Sequence, residues 1–205
     1  AILSLSPERF LQIQDGVITT QPIKGTAVRH RDVDADRTSA ASLLASEKDR
    51  AENVMITDLL RNDLGRFCEA GSVKVTELCG LYSFDNVHHL ISTITGQLAS
   101  GISAGNVMIA SSPGGSITGA PKKRAVEIIA ELEPHARGAY CGSLFAMTGN
   151  GWLQSSIAIR TLEAKGTSLY CWGGGGITTS SHWEAEYQET LDKIGPIMKG
   201  LEARH

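Results

Sequence analysis

Aromatic residues are scarce in this chain of 205 residues; at 5% they are too few to build base-stacking platforms for single-stranded nucleic acid. Neither sign of charge dominates. Nineteen Lys and Arg stand against 22 Asp and Glu, a formal net charge of −3, so the electrostatic footprint of a nucleic-acid binder is missing. No apolar run approaches the ~18 residues that a helical membrane span needs. A charged segment leading into an apolar one, the mark of a secretory signal, is not seen. Cysteine is sparse too. Cys68, Cys79, Cys141 and Cys171 match no zinc-ligand spacing, and they read as the reduced thiols of a cytoplasmic protein.

What remains is an ordinary globular composition, 41% hydrophobic and 20% charged, which argues against intrinsic disorder. Glycine is the exception, with 22 residues, about 11% against a usual ~7%. The excess predicts tight turns and places where backbone approaches a ligand. The chain opens on Ala1 and runs directly into Ile2-Leu3-Ser4-Leu5, a strand already under way. The expectation is therefore the C-terminal part of a longer protein.

Hydrophobic spacing predicts the elements in outline. Residues 1–26 read as β, with Asp15-Gly16 as the turn of a hairpin. Residues 27–45, rich in Arg and Asp, read as an irregular loop running into a helix. Ser46 is placed to cap a helix through about residue 62. β-branched runs fill 73–98, a short helix 103–110, and a Gly/Ser/Pro loop 111–120. Pro121 suits the first turn of a helix whose apolar stripe is Ala125, Ile128, Ile129 and Leu132. A meander over 139–147, 152–162 and 167–172 follows, then four glycines at 173–176 and a last helix over about 183–199. Regular βαβ alternation is missing, so the class is α+β.

Several groups of residues can carry chemistry. On the helix begun by Ser46, Glu52 falls within the apolar stripe of Met55, Ile56, Leu59 and Leu60. A buried carboxylate needs a cation or must be protonated. Glu52 is thus either paired with an Arg or Lys or a metal ligand, with Asp49 one turn away as a second acid. On the last helix Glu186, Glu189 and Lys193 share one face, opposite Tyr187, Leu191, Ile194 and Met198. That face is either solvated or an acidic wall behind the glycine segment, whose amides suit an anion. The loop from Pro113 to Lys122 enters a helix N-terminus and suits a phosphate or a carboxylate equally; it lacks the P-loop spacing. Lys24 is either a surface lysine or a nucleophile. The second role needs a neutral amine, and at the ordinary pKa of about 10.4 under ~0.1% is neutral at pH 7.

Taken in order, Ser6-Pro7-Glu8-Arg9-Phe10, Pro22-Ile23-Lys24-Gly25-Thr26, Arg50-Ala51-Glu52-Asn53, Arg61-Asn62-Asp63-Leu64-Gly65-Arg66, Pro113 to Lys122, Ile157 to Thr161, and Glu184 to Lys193 resemble the chorismate-utilising enzymes. That family includes anthranilate, aminodeoxychorismate, isochorismate and salicylate synthases. The motifs run in register across nearly the whole chain. The likeness is greatest to the branch that aminates chorismate at C4. That branch carries a lysine where Lys24 stands, whereas anthranilate synthases typically carry alanine.

The resemblance implies an α+β fold of antiparallel sheets with helices outside. Residues 1–205 form the C-terminal half of the chorismate-binding (anthranilate synthase component I-like) fold, with the N-terminal part of that catalytic domain absent. Such a half exposes sheet edges, which invite self-association. The implied cofactor is Mg²⁺, held by Glu52 and Glu189 with Asp49 and Glu186 supporting; hard carboxylate oxygens suit that ion. Arg160 and Tyr140 are implied to grip the enolpyruvyl carboxylate of chorismate. Lys193 and the backbone at Gly174 and Gly176 hold a carboxylate, and Thr26, His89 and Ser116 line the pocket. Arg160 is read on an alternating strand, sharing a face with Ser156 and Ala158.

By the same resemblance, Glu8 is the general acid for the departing C4 hydroxyl and Lys24 the covalent nucleophile at C2. Ammonia from a separate glutamine amidotransferase subunit adds at C4, giving 4-amino-4-deoxychorismate on the way to 4-aminobenzoate and folate. Two alternatives stand beside this. One is anthranilate synthesis on the same scaffold, which Lys24 argues against. The other is a fragment that binds ligand or a partner chain without turnover. Gln154 departs from the family, which often has Asp there.

Overall fold

The computed structural model describes residues 1–179 and 181–203. β1 (Ile2–Ser4) leads to β2 (Arg9–Gln14) and β3 (Val17–Gln21). The hairpin between β2 and β3 turns at Asp15 and Gly16, whose φ angles of 52° and 77° are the left-handed pair that a two-residue turn needs. β4 (Ile23–Val28) follows.

The Arg- and Asp-rich stretch after β4 is not all loop. It is helical over α1 (Val33–Ala45). Asp32 caps this helix by accepting from the Ala35 amide at 2.9 Å, and Asp34 and Asp36 occupy the first turn, where the helix dipole favours acids. Behind them Ala35, Ala40, Ala41, Leu43 and Leu44 supply strong helix propensity, which the polar composition conceals. Asp36 also ties α1 to the sheet. It accepts from Arg29 Nε at 2.9 and 3.0 Å and from the His30 amide at 2.9 Å, and its Oδ1 lies 3.1 Å from His88 Nε2.

α2 (Glu47–Gly65) starts at Ser46 as the sequence predicts. Its buried face is Asn53, Ile56, Thr57, Leu60 and Leu64, whereas Met55 is exposed. Glu52 therefore stands at the border of the apolar stripe rather than in its middle. Asn53 sets the register of α2 on the sheet. It donates to the Leu90 carbonyl at 3.1 Å and accepts from Ser92 Oγ at 2.5 Å.

The remaining elements are β5 (Lys74–Ser83), β6 (Val87–Gln97), α3 (Ala104–Ser111), α4 (Lys122–Leu132), β7 (Ser143–Met147), β8 (Leu153–Ile157), β9 (Thr161–Lys165), β10 (Ser168–Cys171) and α5 (Trp183–Glu202). All strand pairs are antiparallel. The large sheet is centred on long β6, which pairs β5 along one edge and β3 and β4 end to end along the other. It continues through β2 and β8 to β7. β1, β9 and β10 make a separate small sheet. Phe10, Leu11, Ile13, Ile18 and Ile94 from the large sheet meet Ile56, Leu60 and Leu64 of α2 in the core.

The single strand expected over 152–162 is broken. Residues 158–160 carry the chain from the large sheet to the small one, and Arg160 bends it with a φ of 48°. The Leu5 amide donates to the Arg160 carbonyl at 3.0 Å and holds the corner. Apolar faces of α4 and α5 also differ from the amphipathic reading. No residue of α4 is buried, and on α5 it is acidic Glu186 that turns inward while Trp183, Tyr187, Leu191 and Met198 face outward. No described helix is long and apolar enough to cross a membrane.

Candidate active site

Of the four glycines between β10 and α5, Gly173, Gly174 and Gly175 pass so close to other side chains that a Cβ would collide with or crowd them, and Gly176 lies in ordinary contact range. A Cβ on Gly173 would lie 2.9 Å from both Thr190 and Ile194, and one on Gly174 would lie 2.7 Å from the Tyr140 hydroxyl. On Gly175 it would meet Glu186 Oε2 at 3.0 Å and Glu189 Oε1 at 3.9 Å; on Gly176, Glu52 Oε2 at 3.8 Å and Lys24 Nζ at 3.9 Å. The glycine segment thus lies against seven residues, Lys24, Glu52, Tyr140, Glu186, Glu189, Thr190 and Ile194. Its own amides donate to no acceptor among the described residues. Free N–H groups beside fixed charges suit an anionic ligand.

Three carboxylates gather there. Glu186 is buried, 7% exposed, and accepts from Ser181 Oγ at 2.6 Å and Lys48 Nζ at 3.4 Å. The Ser181 hydrogen bond, helped by Lys48, holds its pKa below the usual carboxylate value. Glu52 is pushed the other way. Burial raises its pKa, Asp49 and Glu186 add to the rise, and only Lys24 and Lys48 oppose it. Glu189 pairs with Lys193 at 2.5 Å, and Lys193 also donates to the Gly174 carbonyl at 3.2 Å. Asp49 is otherwise engaged: its carboxylate accepts from Ser46 Oγ at 2.5 Å and its amide donates back at 3.2 Å, a reciprocal helix cap. It reaches the acid cluster only through its charge.

Among the described residues no three acids converge on one point as a ready metal cage. Glu186 and Glu189 are each turned toward a lysine. The donor set nevertheless fits a hard divalent cation. It is all oxygen and strongly acidic, and the Glu52 carboxyl has no ion-pair or hydrogen-bond partner among the described residues.

Beyond the glycines, Lys24 on β4 donates to the Ser116 carbonyl at 3.5 Å. Ser116 also stands close enough to Glu8, which precedes β2 and is 7% exposed, to act on its carboxyl. Burial raises the Glu8 pKa against the opposing pull of Ser116, Lys24 and Lys193. The loop over 112–121 that brings Ser116 here is tethered by Lys122, whose Nζ lies 2.7 Å from Asp63 on α2. Lys122 is therefore a strut, not an anion ligand at the N-terminus of α4.

Arg160 is half-buried, its guanidinium has no carboxylate or hydrogen-bond partner among the described residues, and its pKa is lowered by desolvation. It stands near His89, whose Nδ1 lies 2.9 Å from Thr26 Oγ1. Burial keeps the pKa of His89 below the ordinary value, and the charge of Arg160 adds to that. Tyr140, its pKa raised chiefly by burial, points its hydroxyl at Gly174. The candidates so placed together are Glu8, Lys24 and Ser116; Glu52, Glu186 and Glu189; Thr26, His89 and Arg160; and Tyr140 with Lys193. Sequence reasoning missed Lys48, Ser181 and Asn53. Lys48 was legible as the i−4 neighbour of Glu52, and Asn53 as a polar residue within the buried helix face.

Comparison with known proteins bears on this site. The family model described as chorismate binding enzyme matches residues 1–199. Aminodeoxychorismate synthase component 1 of Salmonella typhimurium is 55% identical over 202 residues, covering 98% of this chain and 44% of its own length. Anthranilate synthase component 1 of Pseudomonas aeruginosa is 42% identical over 200 residues, with 98% and 41% covered. The crystal structure of anthranilate synthase component I from Streptococcus pneumoniae superposes with a TM-score of 0.80 at 36% identity, covering 94% of this chain and 42% of that one. The chain thus spans less than half the length of these relatives.

Proposed function

This chain belongs to the chorismate binding enzymes, and we propose that it is the C-terminal, catalytic part of an aminodeoxychorismate synthase component 1. The observation that carries this reading is Ser116. Its carbonyl accepts from Lys24, and the same residue acts on Glu8, whose pKa burial raises, so an amine and a carboxyl shifted toward its protonated form share one pocket. The higher identity to aminodeoxychorismate synthase component 1, 55% against 42% for an anthranilate synthase, supports the same branch.

In this reading Arg160, without a protein carboxylate partner, and the free amides at Gly174 and Gly176 bind the carboxylates of chorismate, with Tyr140 and Lys193 beside them. Thr26 and His89 shape the wall next to Arg160, and a neutral His89 serves there as a hydrogen-bonding group. Glu52 and Glu189, supported by Glu186 and by the charge of Asp49, would hold Mg²⁺, which when bound supplies electron withdrawal through the ring carboxylate. Burial raises the Glu8 pKa and so favours its protonated form, from which it delivers a proton to the C4 hydroxyl, which leaves as water. Lys24, having given up a proton, attacks C2 as the ring double bonds shift toward C4. Ammonia then forms the C–N bond at C4, the double bonds shift back, and Lys24 is expelled from C2.

The product is 4-amino-4-deoxychorismate, and the ammonia source is a glutamine amidotransferase subunit. The setting is cytoplasmic synthesis of 4-aminobenzoate and folate. The test is incubation of the full-length protein with chorismate, ammonium and Mg²⁺, with the product identified by mass spectrometry. 4-Amino-4-deoxychorismate is the expected result; anthranilate with release of pyruvate would move the chain to the other branch.

A further inference from the structure

Lys48 has no part in the mechanism just given, yet it stands among all three acids. It lies on α2 one turn before Glu52, its side chain is 51% exposed, and its Nζ is 3.4 Å from Glu186 Oε1. Its charge also acts on Glu52 and Glu189. The placement is set by the fold. Asn53 locks α2 to β6 in one register, which directs the i,i+4 pair of Lys48 and Glu52 toward the glycine segment. We propose that Lys48 is an internal counter-cation that stands in for the divalent ion in the acid cluster and competes with that ion for Glu186. The proposal rests on the reading of Glu52, Glu186 and Glu189 as the residues around the metal.

Three physical points lead there. A carboxylate as buried as Glu186 is destabilising without a cation, and Ser181 supplies a hydrogen bond but no charge. The cation present is a lysine on a half-exposed, flexible stem, so its ammonium can withdraw into water when a divalent ion arrives. Lys193 is less free to do so, since it is held by both Glu189 and the Gly174 carbonyl. A unit positive charge 3.4 Å from Glu186 Oε1, whose field also reaches Glu52 and Glu189, opposes a divalent ion electrostatically, even after solvent screening. Lys48 then sets the metal affinity from outside the ligand set. It keeps the acids from repelling one another in the empty site and limits how tightly the ion is held.

The experiment uses the full-length protein, titrated with Mg²⁺ alone by isothermal calorimetry, and thermal unfolding in EDTA. Lys48→Met should bind Mg²⁺ about three- to tenfold more tightly than wild type, the range expected for removing one screened charge. Its metal-free melting temperature should fall, and saturating Mg²⁺ should restore it. Lys48→Arg keeps the charge and should stay within about twofold of wild type. Lys48→Gln provides a second neutral variant if the methionine disturbs packing. If wild type binds Mg²⁺ and the neutral variants bind it equally or more weakly, Lys48 merely orients Glu186 and the competition is refuted. If wild type takes up no Mg²⁺ and Glu52→Gln changes nothing, the metal reading falls and this proposal with it.

Discussion

The hydroxyl of Tyr140 occupies the space where a side chain on Gly174 would begin; a Cβ there would lie 2.7 Å from it. Real Cβ atoms essentially never approach a neighbour that closely, so any other residue at 174 requires the Tyr140 hydroxyl or the glycine segment to shift. Gly174→Ala should displace Tyr140 and the segment proposed above to bind chorismate. The expected outcome is at least about a tenfold loss of chorismate affinity with little change in folding, since a 1 Å displacement in a site costs on this scale. Gly200→Ala, where a Cβ would meet nothing within 4 Å, is the control. Equal affinities in the two variants would show that the glycine segment does not touch substrate.

Arg160 offers a second test. Its guanidinium is half-buried beside His89 with no protein carboxylate to receive it among the described residues. Arg160→Lys keeps the charge and removes the two-pronged fork. Chorismate binding, measured by equilibrium titration, should weaken by an order of magnitude or more. Unchanged binding would remove Arg160 from the site.

Lys24 is tested by trapping. With chorismate and Mg²⁺ but no ammonia, the full-length enzyme should carry an adduct of chorismate less water on Lys24 alone. Lys24→Ala should lose the adduct and the covalent route while chorismate binding largely survives. A variant with full ammonia-dependent activity and no adduct in the wild type would leave Lys24 a specificity residue.

Glu8 links stability to pH. Burial raises its folded-state pKa above the unfolded value of 4.5. Between those two values the folded chain keeps a proton that the unfolded chain has released, so this group's contribution to stability falls as pH rises through the window. Glu8→Gln removes the ionisable group while keeping a polar partner for Ser116. Its melting temperature should therefore gain on wild type as pH rises from acidic to neutral, while amination is lost. If instead wild type gains on Glu8→Gln as pH rises, the carboxyl is stabilised, not penalised, as an anion.

Much of the fold was legible where the deciding interactions are local. Asp15-Gly16 demanded left-handed backbone, and the structure has it; Ser46 was a cap three residues before Asp49, and the reciprocal bonds are there. Residues 33–45 were misread because charge content outweighed the alanine and leucine content that carries α1, although Asp32 is a recognisable cap. Arg160 could not be placed from its alternating neighbours. The strand ends because the chain must pass from one sheet to the other, and that requirement comes from the pairing of β9 with β1, a partner more than 150 residues away.

The sequence by itself determined the α+β class, the hairpin, the starts of the major helices and, through motifs in register, the family. These depend on periodicity, capping and residue identity, which are written along the chain. Only the tertiary structure decided which charges answer one another. Glu186 faces Ser181 and Lys48, Glu189 faces Lys193, and Lys122 faces Asp63 rather than a ligand. Lys48 and Glu186 are 138 positions apart, so neither spacing nor composition could pair them. Electrostatic energy depends on distance through space and on the water excluded between groups, and both are properties of packing rather than of order along the chain.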